Sequence, residues 1–244
     1  DAFSGTQRPS HEDAVHKLVG RLKSGGVWPK LGAFWVMAAD IAANGLIDWI
    51  QPSTNDLTTT GSPVFTAFSG YAGDGSTTLL TSTLDASAIS TFLESDGHMA
   101  VYNTNGDAGG TFSDLSIGLD RGDYLIRARS SGDKLNARFG NNSTGSPSGS
   151  VDTTAARCVI ASRSSSSVVE TSFDGRYVYG GSITQSETFA PTGKVYVLGR
   201  LFGSGPAEVS SRRVGAASIG GALTKQNMSI YRNSILEYLT NVAG

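Results

Sequence analysis

The segment that decides the fold is Arg157–Tyr179, which reads RCVIASRSSSSVVETSFDGRYVY. It contains three short runs of strand-forming residues, Arg157–Ser162, Val168–Phe173 and Tyr177–Tyr179. The pair Asp174-Gly175 separates the last two runs, and an Asp-Gly pair in such a place is a strong hairpin signal. The segment therefore predicts consecutive antiparallel strands joined by tight turns.

The same pattern of short strands and turns extends through most of the chain. Within Tyr124–Arg129, Tyr124 and Ile126 face one side and Leu125 and Arg127 face the other, which is the alternation of a β-strand. Further strands are predicted at Phe34–Met37, Leu46–Ile50, Val64–Phe68, His98–Tyr102, Leu115–Leu119, Leu135–Phe139, Lys194–Phe202 and Val214–Ile219. Many short strands at this spacing favour a sandwich or a barrel.

A helix is predicted at each end of the chain. Residues 11–24 carry Val15, Leu18 and Leu22 at helical spacing, and Gly25-Gly26 follows as a stop signal. Near the C-terminus, Thr224 is the predicted cap of a second helix. The apolar face of that helix is formed by Met228, Tyr231, Ile235, Tyr238, Leu239 and Val242.

Two units are predicted along the chain, separated by a polar connector. Residues 1–62 contain the first helix and an apolar strand segment, which would pack on the sandwich or on a neighbouring chain. Residues 63–244 would form the sandwich itself together with the C-terminal helix. A chain of 244 residues is long enough for one complete hydrophobic core.

Composition excludes several classes of protein. Charged residues make up 16% of the chain and the net charge is −2, without a run of Lys or Arg, so no nucleic-acid partner is expected. No apolar run reaches the roughly 20 residues that span a bilayer, so no membrane insertion is expected. The single cysteine, Cys158, excludes an internal disulfide framework. A surface rich in uncharged polar residues suits an extracellular or virion protein.

Four segments carry short motifs in a recognisable order. They are Gly26–Leu31 with Phe34–Ala39, Pro63–Thr66 with Gly70–Thr77, Phe173–Arg176, and Ala216–Thr224. Their order resembles a group of phage and gene-transfer-agent particle proteins with a concanavalin-like (laminin-G-like) jelly roll, although Gly32 stands where the first motif usually has Asp. The resemblance implies an all-β fold, a two-sheet antiparallel jelly-roll sandwich with a short N-terminal helix and a C-terminal helix.

The resemblance also implies a function. It is that of a virion or particle structural protein, such as a head spike, a decoration protein or a tail or fibre module, on the virion or extracellular particle surface. The expected partners are other particle proteins, further copies in a homo-oligomer, and a host-surface polysaccharide bound by a lectin-like sandwich. Two alternatives stay open: a glycoside hydrolase or lyase on the same fold, and a structural decoration module without a ligand.

The residues favour a binding module over an enzyme. Retaining glucanases need two carboxylates about 5 Å apart. Retaining glucanases of this fold carry the two carboxylates on a strand with the pattern Glu-x-Asp-x-x-Glu. Neither Glu94-Ser95-Asp96 nor Glu170–Asp174 has that spacing. No Gly-x-Ser-x-Gly nucleophile elbow occurs. No catalytic residue is assigned, and the chain is predicted not to be an enzyme.

Candidate binding residues are aromatic and planar polar side chains on or beside the predicted strands, because glycan sites combine the two types. The glycan-binding candidates are Tyr102, Tyr124, Arg127, Arg129, Arg138, Tyr177 and Tyr179. The candidates for contact with another chain are Trp28, Phe34 and Trp35. Packing inside the protein is the alternative for both sets.

No cofactor is predicted, although one loop has the composition of a calcium site. Asn103, Asn105 and Asp107 alternate there, and Ca²⁺ takes six to eight oxygen ligands. These residues are the candidates for a structural Ca²⁺ ion. Asx-turns explain the same residues without an ion and are the preferred explanation.

Overall fold

The computed structural model describes residues 9–93, 95–105, 112–118, 124–130, 134–139, 157–165, 168–182 and 192–243. The two α-helices are α1 (Pro9–Ser24) and α2 (Lys225–Ala243). The strands are β1 (Leu31–Trp35), β2 (Leu57–Thr60), β3 (Val64–Thr66), β4 (Gly70–Ala72), β5 (Leu79–Asp85), β6 (Gly97–Asn103), β7 (Leu115–Ile117), β8 (Tyr124–Ser130), β9 (Lys134–Phe139), β10 (Arg157–Ser165), β11 (Val168–Phe173), β12 (Arg176–Ser182), β13 (Lys194–Val197), β14 (Arg200–Phe202), β15 (Gly205–Ala207) and β16 (Arg213–Gly220). Neither helix is long and apolar enough to cross a membrane.

The strands form two antiparallel sheets. The larger sheet has eight strands in the order β12-β11-β10-β6-β16-β4-β3, and β1 lies beside the second half of β16. The smaller sheet has six strands in the order β2-β5-β13-β7-β8-β9, while β14 and β15 form a separate hairpin. The pairs within both sheets are antiparallel. The predicted all-β, two-sheet sandwich with a helix at each end is therefore confirmed.

The main hydrophobic core lies between the two sheets. Successive residues of a strand point to opposite faces, so Tyr124 and Ile126 of β8 enter this core while Leu125 and Arg127 lie on the outer face. In the larger sheet, Met99 and the inward-facing residues of the neighbouring strands complete the core. Burying one large apolar side chain contributes roughly 1.5–3 kcal/mol. This core is therefore the main source of stability.

A second core lies between the larger sheet and the two helices. The sheet supplies Phe34, Ala100, Tyr102, Cys158, Ile160 and Ala216, and the helices supply Ala14, Leu18, Leu22, Met228, Tyr231 and Ile235. The helices thus cover the outer face of the larger sheet. Neither helix contributes to the clusters of the smaller sheet. The molecule therefore has three layers, and the outer face of the smaller sheet carries no helix among the residues described above.

The helix ends follow the sequence signals. α1 ends at Ser24, where Gly26 takes φ 67 and the N–H of Val27 returns to the Leu22 carbonyl at 2.9 Å. At the start of α2, the Thr224 hydroxyl accepts the N–H of Asn227 at 3.2 Å, as expected of a capping residue.

The predicted strand Leu46–Ile50 is wrong, because only a single antiparallel bridge joins Asp48 to Trp35 and the Asp48 side chain takes up further hydrogen bonds that a partner strand would form. The buried carboxylate of Asp48 accepts the N–H groups of Phe34 (3.0 Å) and Ile50 (2.9 Å). The N–H of Trp49 donates to the Phe34 carbonyl at 2.8 Å. Burial outweighs the hydrogen bonds to this carboxylate and raises the pKa of Asp48. The segment runs beside β1 as an irregular chain and forms hydrogen bonds with backbone groups at the edge of that strand.

Residues 31–60 belong to the sandwich. Residues 31–60 supply β1 to the larger sheet and β2 to the smaller sheet, so the sandwich begins before the predicted boundary at residue 62. β2 and β5 are absent from the predicted strands because Thr and Ser weaken their apolar alternation. The predicted strand Lys194–Phe202 is divided in two, since Leu198 adopts φ 71 between β13 and β14.

Candidate functional site

Two predicted glycan-binding tyrosines are buried, so they cannot form a platform. Tyr102 is 4% exposed beneath the helices, and burial raises its pKa to about 12. Tyr124 is 3% exposed in the main core, where its ring lies edge-on to Phe92 (5.7 Å between centroids) and Phe139 (5.9 Å). The prediction is wrong for both residues, because each points into one of the two hydrophobic cores.

The predicted contact of Phe34 and Trp35 with another chain is also wrong. Both side chains are fully buried within this chain. Phe34 packs against Tyr231 of α2, and the indole Nε1 of Trp35 donates to the Asn55 carbonyl at 3.1 Å. Trp28 is half-buried, with the Lys23 ammonium 5.5 Å from its ring, and its contact with another chain stays a prediction.

The calcium candidates are only partly described. Asn103 is 2% exposed, and the side-chain Oδ1 of Asn105 accepts the backbone N–H of Arg213. The described ranges contain no group of three or more His, Cys, Asp or Glu residues that could hold a metal ion. The predicted site residues whose side chains lie outside the described part are Asp107, Arg129, Tyr177 and Tyr179. Calcium binding therefore stays a prediction.

Two predicted residues, Arg127 and Arg138, come together on the outer face of the smaller sheet. β8 and β9 are neighbours there, with Leu125 opposite Arg138 and Arg127 opposite Asn136. Residues opposite each other on paired strands point to the same face. These four side chains therefore form one surface, on which Arg138 is half-buried and Arg127 is 8% exposed.

Glu208 collects hydrogen bonds from two arginines on this face. Its Oε2 accepts the Arg127 Nε at 3.2 Å, the Arg127 Nη2, and the Ser113 hydroxyl at 2.8 Å. Its Oε1 accepts the Arg200 Nη2 at 3.0 Å. We call Arg127, Arg200 and Glu208 the arginine–glutamate cluster. Their side chains keep 10%, 16% and 21% of their surface exposed, so the cluster is in reach of a ligand.

Glu208 is held firmly in this position. Its backbone takes φ 48, a left-handed conformation that residues other than glycine rarely adopt. Burial raises the pKa of its carboxyl group, but the hydrogen bonds from Arg127 and Ser113 and the charges of Arg127 and Arg200 lower it by more. The side chain is therefore a fixed carboxylate. Strained backbone of this kind is concentrated at binding and active sites.

Phe202 presents an exposed ring beside the cluster. It is 55% exposed, which makes it the most exposed aromatic residue of the described chain. The Arg200 guanidinium lies 5.4 Å from the ring centroid, in cation–π range. In the hairpin of β14 and β15, Phe202 is opposite Gly205, and Gly203 (φ 57) permits the tight turn between them. A short hairpin thus holds a flat apolar ring next to planar charged groups.

A fully buried ion pair anchors the chain segments that supply the cluster. The Arg212 Nη1 lies 2.8 Å from the Asp114 Oδ2, with side chains 2% and 0% exposed. The Ser210 hydroxyl donates to the other oxygen of Asp114 at 3.0 Å. Asp114 follows Ser113 in sequence, and Ser210 lies two residues after Glu208. The pair therefore ties together both segments that position the Glu208 carboxylate.

A cavity opens at the start of α2. It is a cavity of about 1000 Å³ bordered by Lys30, Asp96, Glu170 and Lys225, among others. Lys225 pairs with Glu170 at 3.4 Å, while the Ala222 amide and carbonyl bond to Asp96 and Lys30 at 2.8 Å each. The residues that border this groove include no aromatic ring. Its lining mixes polar side chains with Ala222 and Leu223, and without an aromatic ring it offers no flat surface on which a sugar ring could stack.

Sequence reasoning missed Phe202 and Glu208. Phe202 precedes Gly203-Ser204-Gly205, a turn signal that marks the tip of a hairpin. That signal places Phe202 next to a hairpin turn, where a side chain can stay exposed. Glu208 has no local signal, because its partner Arg127 is 81 residues away in the sequence.

The comparisons with known proteins bear on the fold. No family model and no curated protein matches the sequence. A structure of Trypanosoma rangeli sialidase with 2,3-difluorosialic acid aligns with a TM-score of 0.60 and 15% identity, over 84% of this chain and 32% of the sialidase. Domain 4 of AbnA, a GH43 arabinanase from Geobacillus stearothermophilus, in complex with arabinotriose, aligns with a TM-score of 0.59 and 14% identity, over 82% of this chain and 97% of the domain.

A third similar structure is that of botulinum neurotoxin type C, whose cell entry depends on two ganglioside molecules. It aligns with a TM-score of 0.61 and 8% identity, over 87% of this chain and 53% of the toxin chain. This chain spans about a third of the sialidase and about half of the toxin chain. Identities this low establish a shared β-sandwich fold alone.

Proposed function

We propose that this chain is a non-catalytic carbohydrate-binding module in which Phe202 is the platform for a sugar ring. The observation that carries the proposal is the exposed Phe202 ring held against Arg200 and the arginine–glutamate cluster. The apolar face of a sugar ring stacks on an aromatic ring, while its hydroxyl groups bond to planar charged side chains. Both kinds of group are present here, with Phe202 and Arg200 on the β14–β15 hairpin and Arg127 on β8.

The position of the platform also favours this function. The larger sheet is covered by α1 and α2, whereas the hairpin that carries Phe202 lies with the smaller sheet. The cluster residues are fixed by mutual hydrogen bonds and by the buried Arg212–Asp114 pair. A site with little freedom of its own loses little conformational entropy when it binds a ligand.

The similar structures support a carbohydrate ligand. Those of the sialidase, the arabinanase domain and the toxin concern a sialic acid derivative, arabinotriose and gangliosides respectively. Because their likeness to this chain is one of fold, they support the class of ligand and leave its identity to the site residues.

We further propose that the module is presented on the surface of a virion or similar extracellular particle, as the sequence motifs suggest. Other particle proteins and further copies of the chain would then be its partners. A single shallow site binds a glycan weakly, and several sites on one particle raise the avidity without new contacts.

A glycan array of bacterial surface polysaccharides and plant polysaccharides tests the proposal. The wild-type chain should bind at least one glycan, and Phe202→Ala should weaken that binding about tenfold through loss of ring stacking. Phe202→Trp keeps a ring and should retain binding. Val64→Ala removes another exposed apolar side chain, 60% exposed on β3 of the larger sheet, and should have no effect. Absence of binding of the wild-type chain to every glycan on the array would contradict the proposal.

A glycoside hydrolase is the second candidate, on one observation. Asp96 and Glu170 border the same groove, and hydrolysis of a glycosidic bond uses two carboxyl groups. Release of reducing ends from a bound polysaccharide, abolished in Asp96→Asn and Glu170→Gln, would establish this activity. We expect no release, because the Asp96 carboxylate is occupied by the Ala222 amide and the Glu170 carboxylate by the Lys225 ammonium.

A further inference from the structure

We infer that the Phe202 face selects acidic sugars, which carry a carboxylate on the ring, over neutral sugars. The inference rests on the proposed function, because it names the ligand class of the same site. It is carried by the two guanidinium groups of the arginine–glutamate cluster and by their unused hydrogen-bonding capacity.

Both arginines have N–H groups that no residue of the described structure accepts. A guanidinium has five N–H donors, of which Arg127 gives those of Nε and Nη2 to Glu208, and Arg200 gives one from Nη2. The Nε of Arg200 is shielded from water and has no acceptor within the described structure. The cluster therefore has more donors than its own carboxylate satisfies. A second carboxylate, brought by a ligand, has the planar shape that a guanidinium fork binds best.

The charge of the cluster points to the same ligand. Arg127 and Arg200 contribute two positive charges, and the Glu208 carboxylate offsets one of them. Glu208 acts as a positioning residue, because it bonds to one guanidinium through each of its oxygens and so fixes the pair. A neutral sugar would leave the remaining positive charge without a counter-charge, whereas the carboxylate of an acidic sugar neutralises it.

An unpartnered acceptor lies on the same face. Asn136 stands opposite Arg127 on the neighbouring strand and is 8% exposed, and its Oδ1 has no hydrogen-bond partner in the described part of the chain. Buried polar atoms are almost always paired in native proteins. A sugar hydroxyl next to the bound carboxylate would donate to this oxygen. A ligand with both a carboxylate and hydroxyl groups therefore suits the face better than a simple anion.

The overall charge of the chain argues against a nucleic acid as the anionic ligand. The net charge is −2, and nucleic-acid binding depends on many basic residues along a phosphate backbone. The described part of this face carries only a few arginines, beside one exposed aromatic ring. This arrangement fits a polymer whose carboxylates are separated by uncharged ring surface.

The test compares acidic polysaccharides with their own methyl esters, which keep the sugar ring and linkage and lose the charge. The probes are polygalacturonate, hyaluronan and polysialic acid, each with its esterified form, at low and at high salt. The wild-type chain should bind at least one acidic form about tenfold more tightly than its ester, a typical gain for charge-assisted hydrogen bonds. Raising the salt should reduce this ratio, because the charges are partly exposed.

Two variants separate charge from fork geometry. Arg200→Gln should bring the ratio of acid to ester binding close to one. Arg200→Lys keeps the charge without the planar fork, and should give an intermediate ratio that still depends on salt. Arg21→Gln is the matched control, since Arg21 is 53% exposed on α1 and pairs with Glu237. It should leave the ratio unchanged. Urea midpoints close to that of the wild type confirm that each variant is folded.

The outcomes distinguish this inference from the proposed function. Equal binding of acid and ester that is still lost in Phe202→Ala would overturn the acidic preference and leave carbohydrate binding intact. Binding of neutral glycans on the array together with none of the acidic polymers would overturn it as well. Silence towards every glycan would overturn both proposals.

Discussion

The outer faces of the two sheets follow the same alternation of residues but differ in chemistry. On the larger sheet the outward residues, such as Phe34 and Ile160, are apolar, and two helices bury them. On the smaller sheet the outward residues of β8 and β9 include Arg127 and Arg138, and Arg127 bonds to Glu208 beside a hairpin with an exposed ring. Alternation decides which residues face outward. The chemistry of those residues decides whether a face is packed inside the molecule or presented to a partner.

The largest expected effect comes from the same substitution made on each face. Phe34→Ala opens a cavity between the larger sheet and α2 and should lower the free energy of unfolding by about 3–5 kcal/mol. Phe202→Ala removes an exposed ring and should change it by less than about 0.5 kcal/mol. Equilibrium unfolding in urea measures both. A similar loss in the two variants would mean that the ring of Phe202 is packed, and the contrast between the faces would be wrong.

The next prediction is that a buried ion pair stabilises the region of the smaller sheet, whereas apolar contacts stabilise the outer face of the larger sheet. Asp114→Asn leaves the buried Arg212 guanidinium without its counter-charge, which should cost about 3 kcal/mol of unfolding free energy. Glu237→Gln breaks the Arg21–Glu237 pair between the helices, whose side chains are 53% and 32% exposed. Its effect should be close to zero, because exposed pairs contribute little. Equal effects in urea titrations would show that burial of the first pair is unimportant.

The smallest effect depends on pH and should come from the larger sheet. His98 is buried on β6, where its Nδ1 must donate to the Gly221 carbonyl (2.6 Å) and its Nε2 can then accept from the Ser218 hydroxyl (3.0 Å). Burial lowers the pKa of His98 to about 4 from 6.5. Between pH 6.5 and pH 4 the unfolded chain takes up a proton at this histidine and the folded chain does not. The contribution of His98 to the free energy of unfolding is therefore largest above pH 6.5 and decreases as the pH falls towards 4. Between pH 7 and pH 5 the loss should be about 2 kcal/mol.

Variants at two histidines check the origin of this pH dependence. In His98→Asn the amide can still donate to the Gly221 carbonyl, but no imidazole remains to titrate, so the urea midpoints at pH 7 and pH 5 should move closer together. Burial lowers the pKa of His11 as well, which leaves a smaller dependence of the same sign. His16→Asn is the control, because His16 is 76% exposed on α1. An unchanged dependence in His98→Asn would place its origin elsewhere.

The fold was largely predictable because it depends on local patterns. The spacing of Leu18 and Leu22 predicts α1, that of Tyr231 and Ile235 predicts α2, and the Asp174-Gly175 pair predicts the turn between β11 and β12. Both helices need an apolar surface to cover, and the larger sheet provides it. The segment around Asp48 was misjudged because a carboxylate replaced a strand as the partner of β1. No local pattern distinguishes those two solutions.

The site was less predictable because it depends on which side of a sheet is covered. Tyr102 and Tyr124 both lie on predicted strands, yet one points towards the helices and the other towards the main core. Sequence alternation separates the two faces of a strand without identifying the layer above each face. Arg127 was identified from the sequence, but its role became visible only with Glu208, which is 81 residues away.

The irregular segment beside β1 affects whether strands of other molecules can pair with this strand. A strand with free N–H and C=O groups at the border of a sheet invites strands from other molecules, which leads to domain swapping and fibrils. In β1 the Asp48 carboxylate already accepts the Phe34 N–H, and the Trp49 N–H already occupies the Phe34 carbonyl. An incoming strand finds neither group available at this position. Intermolecular β-pairing through the backbone of Phe34 is thereby blocked.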